Sequence, residues 1–353
     1  MAYTTINKST EHFNTKLYTG NGSDNHAITG VGFQPDFVWL KSRSQVKNHF
    51  LQDVVRGITY QLRSSASNAE NNYASYVKSI QSDGFTLGTD VDINNNGSNY
   101  VAWNWKAGGG QGSSNTDGSI NTTYTSVNTT AGFSISSYTG TGSNATVGHG
   151  LGVAPSMVIV KNRSSAENWR VYHKGTDASA PQDYDLKLNL TNARDNDNTV
   201  WNDTAPTSSV FSVGTSAGTN ASGSTYISYC FAEKQGYSKF GSFIGNQDTD
   251  GTFIYTGFAP AWVMFKESTG SASGDNWFMY DNKRSTFNQT QKYLKANKSD
   301  AETDNSGGAI DMLSNGFKIR TADTSLNDNG ETYIYMAFGQ SLVGSNNVPC
   351  TAR

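Results

Sequence analysis

A hydrophobic pattern recurs three times along this chain, and a recurrence at domain-sized spacing constrains the fold more than any single motif. Tyr18-Thr19-Gly20, Tyr138-Thr139-Gly140 and Tyr255-Thr256-Gly257 each open a copy. Pro35, Pro155 and Pro260 follow, and each proline leads into an apolar run that ends on Lys41, Lys161 or Lys266. The first two copies keep register at an offset of 120 residues, and Arg43 corresponds to Arg163. Their Gly-rich segments TGNGSDNHAITGVGFQP and TGTGSNATVGHGLGVAP read in the third copy as a shortened TGFAP. The runs Phe37-Val38-Trp39-Leu40, Met157-Val158-Ile159-Val160 and Trp262-Val263-Met264-Phe265 are continuous, as expected of strands covered on both faces.

A second block recurs downstream. Phe50, Trp169 and Trp277 sit shortly after the lysine strand. Asp83-Gly84-Phe85, Ser209-Val210-Phe211 and Asn315-Gly316-Phe317 then read as turns entering strands. Each copy closes on a tyrosine-led alternation: YVAWNW from Tyr100, YISYCF from Tyr226 and YIYMAF from Tyr333. One face of that strand carries Val101/Trp103/Trp105, Ile227/Tyr229/Phe231 or Ile334/Met336/Phe338. Side chains alternate across a strand, so this face forms a bulky layer and the opposite one a smaller, more polar layer.

These patterns predict an all-β chain of three tandem antiparallel β-sandwich units, jelly-roll-like in connectivity. The units span 1–108, 131–236 and 237–340, with a Gly/Ser/Thr-rich linker at 109–130 and a C-terminal tail at 341–353. The linker is either a free tether or an extended segment lying on a neighbour. The repeat alone leaves open whether the units form a pseudo-threefold or follow one another like beads.

Composition narrows the function. Charged residues make up 16% of the chain and the formal net charge is −3, without a Lys/Arg cluster, so nucleic-acid binding is not expected. No apolar run of about 18 residues is present, and no membrane insertion is expected. The start MAYTTINKSTEHF lacks a secretion-signal pattern, so an extracellular role is expected to come through a released particle. Cys230 reads as a small buried apolar residue, and Cys350 would cross-link only if the tail folds back.

Candidate sites are few, and no catalytic residue, cofactor or metal is expected. Asp90, Asp92 and Asn94 alternate as oxygen donors do in a Ca²⁺ loop, but the glycine spacing and closing glutamate of an EF-hand are missing, and an Asx-rich turn is the simpler account. Asn168, Trp169 and Tyr172, with Asn276, Trp277 and Tyr280, place rings beside amides as a glycan site would. Tryptophan on a sandwich strand more often serves the core.

The strings NTTAGFSISSYTGTGSNATVGHGLGVAPSMVIVKNRS, VGFQPDFVWLKSRS and TYIYMAFG resemble an uncharacterised β-rich domain of structural or tail-associated proteins in marine tailed bacteriophages. The resemblance spans all three units and is weaker in the third. It implies a non-catalytic virion component: a tail fibre, appendage, adhesin or head decoration on the particle exterior. Other virion proteins are the implied partners, with a homo-oligomer such as a trimer and contact with a host-surface glycan as further expectations. A carbohydrate-binding protein and a glycan-degrading tailspike are the alternatives.

Overall fold

The computed structural model describes residues 4–270 and 275–342, so Cys350 and nearly all of the tail lie outside the described residues. The fold is all-β with several antiparallel sheets, and its described helices are single turns. Three large sheets carry the repeat. The first orders its strands Phe13–Thr19, Asn99–Trp105, Phe37–Ser42, Phe50–Asp53. The second repeats this order in Phe133–Thr139, Thr225–Phe231, Met157–Asn162 and Arg170–His173. The third does so in Ser238–Ile244, Thr332–Gly339, Pro260–Glu267 and Phe278–Asp281. In every copy the closing strand therefore lies between the opening strand and the lysine strand.

The period-two pattern of the closing strands explains how the sheets assemble. Val101, Trp103 and Trp105 share one buried cluster with Ile227, Tyr229, Phe231, Ile334, Met336 and Phe338. All three large sheets thus turn their bulky faces onto one central core, and the copies are arranged about a pseudo-threefold axis. Trp105 meets Trp262 edge-on at 5.8 Å, and Phe37 lies 4.6 Å from Tyr229, so aromatic contacts cross between units.

The opposite faces build three private cores. In the first unit, Tyr18, Val38, Leu40, Tyr100 and Ala102 pack with Ile28, Val77, Phe85 and Leu87. The latter come from a small sheet of His26–Thr29, Gly84–Leu87 and Val77–Gln81. Ala145–Gly148 with Val210–Val213, and Phe253–Tyr255 with Gly316–Ile319 and Ile310–Leu313, form the small sheets of the other units. Cys230 is fully buried in the second private core, and burial pushes its thiol up to about 12.

Two registers differ from the sequence expectation. The third unit opens at Phe243-Ile244-Gly245, because Phe243 stacks on Tyr333 at 5.0 Å as Tyr18 stacks on Tyr100 and Tyr138 on Tyr226. Tyr255-Thr256-Gly257 instead follows from the small-sheet strand, paired through Tyr255 to Gly316. The loop before the proline is consequently not shortened: 19–35, 139–155 and 244–260 are of equal length. Second, Phe50 pairs with Leu40 as Arg170 pairs with Val160 and Phe278 with Phe265, so His49 is the counterpart of Trp169 and Trp277. Of the two alternatives for 109–130, the structure shows the extended segment lying on its neighbours. Tyr124–Asn128 adds a strand to the second unit's sheet, Ile120 enters that unit's private core, and Gln111 donates to the Val55 carbonyl.

Candidate functional site

Of the residues expected to present a glycan surface, the four rings Trp169, Tyr172, Trp277 and Tyr280 are buried, while Asn168 and Asn276 are half-buried. Trp169 and Trp277 belong to the central core, and their indole N–H groups donate to the Arg63 and Lys187 carbonyls at 2.9 and 3.0 Å. Each acceptor belongs to the neighbouring unit, so these rings pin one unit to the next. Asn168 and Asn276 accept from the amides of Asn189 and Asn297, whose own carbonyl oxygens hold the backbone N–H of Trp169 and Trp277. Tyr172 and Tyr280 are buried on the opposite, private-core faces. The two tyrosines and the two tryptophans are therefore not brought onto one open surface.

The Asp90 to Asn94 segment is a capped helical turn. Asp90 accepts from the Asp92 N–H, and Asp92 meets Lys47 at 2.7 Å and the Tyr76 hydroxyl at 3.0 Å. Asn94 is fully buried; its oxygen accepts from the Asn21 N–H and its amide donates to the Ser23 and Gly88 carbonyls. No group of three or more metal-ligating side chains occurs among the described residues.

The polar chemistry concentrates instead at the three seams between units. Where the second unit meets the first, Arg163 grips Glu70 through Nε and Nη2 at 2.8–3.0 Å, and Glu70 also meets Arg56 at 3.3 Å. Arg56 pairs with Asp53, which accepts from the Tyr229 hydroxyl at 2.7 Å. Burial opposes the Arg56 charge, but Asp53, Tyr229 and Glu70 outweigh it and the guanidinium is held protonated. The seam between the first and third units repeats this design: Arg43 binds Glu302 in two parallel hydrogen bonds of 2.9 and 2.8 Å, and Glu302 meets Arg284. Asp281 pairs with Arg284 and accepts from Trp103 Nε1. Planar forks of this kind fix orientation as well as charge.

The seam between the second and third units is built differently. His173 stands in the register of Asp53 and Asp281, Thr176 in that of Arg56 and Arg284, and Ser268 in that of Arg43 and Arg163. The backbone link survives: Arg194 N–H donates to the Ser268 carbonyl as Glu70 donates to Arg163 and Glu302 to Arg43. Burial pushes His173 down to about 3, so it is neutral. Nε2–H then donates to the Tyr335 carbonyl at 3.0 Å while Nδ1 accepts from Gly175 N–H.

Each seam also buries one strand-end lysine. Lys41 donates to the Ser42 and Ser299 carbonyls, Lys161 to those of Asn162 and Ser165, and Lys266 to those of Thr191 and Asp275. Burial pushes Lys41 down to about 7 and Lys161 and Lys266 to about 8. The lysines and Arg43/Arg163 were visible in the sequence as repeated positions. The Asp-x-x-Arg pairs Asp53/Arg56 and Asp281/Arg284 were not singled out, although that spacing recurs in two copies.

The arrangement welds three units into one body. No curated protein and no solved structure matches the chain. A family model does match, and it covers residues 8–341 as one stretch through all three units. The chain belongs to the family described as domain of unknown function DUF7483.

Proposed function

We propose that this protein is a non-catalytic structural component of a tailed-phage particle, in a tail fibre, appendage, adhesin or head decoration on the virion exterior. The observation that carries this reading is the single core shared by three sheets. Such a body holds a fixed spacing and presents a threefold-like outline, which suits docking on symmetric virion proteins. One chain then supplies the threefold arrangement that a homotrimer would otherwise provide. The resemblance of the GLGVAP and strand-lysine segments to marine phage structural domains supports the same address. In this reading each unit is a jelly-roll-like sandwich: opening, second and third strands alternate between sheets, and the closing strand inserts between the first and third. The carboxylates at two seams fit a mechanical role, since Asp53, Asp281, Glu70 and Glu302 are each matched by arginine.

Mass spectrometry of purified particles tests the assignment. The protein is expected at a stoichiometry that is a simple fraction of a tail or capsid component. Its absence from particles that carry the neighbouring structural proteins would overturn the proposal.

A further inference from the structure

The pseudo-threefold makes each seam a control for the other two, and one seam is open where the others are filled. On the opening strands, Thr15 pairs with Trp103, Ile135 with Tyr229 and Phe240 with Met336, so these three side chains occupy equivalent places. Ile135 and Phe240 are buried in the central core. Thr15 is 7% exposed, and its Oγ1 has no hydrogen-bond partner among the described residues. It lines a cavity of about 200 Å³ between the first and third units.

The facing side of the same seam changes in the same sense. The two residues after Asp53 are Val54 and Val55, and both join the central core. After His173 comes Lys174-Gly175, where a Cβ on Gly175 would lie 3.0 Å from the Gly241 carbonyl carbon, so backbone closes on backbone. After Asp281 come Asn282 and Lys283, and both line the cavity. Apolar or tightly closed surfaces on two seams are thus matched, on both walls of the third, by hydroxyl and amide groups.

We infer that this cavity is a binding site for a monosaccharide-sized polyhydroxy compound, such as the terminal sugar of a surface glycan. The volume suits one sugar ring rather than a larger ligand. Phe13 and Ala261 give apolar lining, while Asn282 and Gln340 offer neutral donors and acceptors. No carboxylate lines the cavity among the described residues, and Lys283 supplies a cation at its edge. Thr15 acts here by its small size: it leaves open the space that Ile135 and Phe240 fill at the equivalent places. The site is distinct from the Trp169 and Trp277 positions and does not rest on the virion reading.

The test titrates the full chain with galactose, glucose, N-acetylglucosamine and glucuronic acid in the millimolar range, by saturation-transfer NMR and calorimetry. At least one sugar is expected to bind. Thr15→Ile installs the residue that the second unit carries at this place, so the fold has a precedent for it; binding should weaken at least about tenfold while the unfolding midpoint stays level or rises. Thr15→Ser, which adds no bulk to the cavity wall, should retain binding. Failure of all four sugars to bind, which would leave the cavity to water, overturns the inference. So does binding that survives Thr15→Ile.

Discussion

Three lysines show how individual residues tie stability to solution conditions. Lys41, Lys161 and Lys266 end strands of otherwise apolar character, and their ammonium groups are satisfied by backbone carbonyls rather than carboxylates. Burial therefore lowers them to about 7, 8 and 8. In the unfolded chain a lysine keeps its proton to about pH 10.4. Between the folded and unfolded values the unfolded state binds more protons, so stability rises with pH across that interval. Below about pH 7 both states are protonated and this contribution levels off. Buried tyrosines such as Tyr138 and Tyr229 have raised values, so their opposing effect sets in only near about pH 10, where an unfolded tyrosine ionises. The urea midpoint is expected to rise from about pH 7 to about pH 9 at constant ionic strength. Lys41→Met should reduce that slope. A wild-type midpoint that is flat or falls over this window would contradict the reading.

At the scale of elements, one buried asparagine per unit fixes the corner where the closing loop meets the opening strand. Asn94, Asn220 and Asn327 each accept from the backbone N–H of the residue after the strand-end glycine and donate to two carbonyls. The strand-end glycines lie so close to the next element that a Cβ on Gly20, Gly140 or Gly245 would stand 2.3, 2.4 or 2.1 Å from a backbone oxygen. Asn220→Asp keeps the shape but removes the two donors, leaving the Ser143 and Gly214 carbonyls facing an acceptor. A loss of about 2–4 kcal/mol is expected, read as a lowered denaturation midpoint at unchanged slope. A shift within a few tenths of a kcal/mol would show that the corner is held by something else.

This corner also marks where sequence reading succeeded and where it failed. The alternation Val101/Trp103/Trp105 was legible because period two is a property of the strand itself. Asn94 was visible as an oxygen donor, but its role depends on Asn21 and Gly88 being brought to it by the fold. Tyr255-Thr256-Gly257 misled because the same three letters fit a small-sheet strand end and an opening strand. Only pairing to Gly316 separates the two uses. Thr15 gave no signal at all, since a small polar residue gains meaning only against Ile135 and Phe240 in the same place.

At the scale of the whole molecule, repetition in sequence does not mean independence in folding. The repeat predicts three similar units, yet each unit's most hydrophobic face is finished only by the other two. Val101, Trp103 and Trp105 would be exposed in a free first unit, together with Phe37 and Trp39. An apolar face of that kind drives association when uncovered. The seams add half-buried ion pairs whose partners come from different units, as Arg163 does for Glu70. These lie next to fully buried pairs within a unit, as Arg56 with Asp53, where an unpaired member is costly. The full chain is therefore expected to unfold in one transition, with tryptophan fluorescence and far-ultraviolet circular dichroism coinciding. Trp103→Ala, which removes a ring at the common centre, should lower that whole transition by about 3–5 kcal/mol rather than split off one unit. Residues 1–108 expressed alone should aggregate or lack a cooperative transition. A monomeric, cooperatively folding 1–108 fragment, or separate transitions for the three units in the full chain, would show that the private cores suffice and that the central core only docks finished modules.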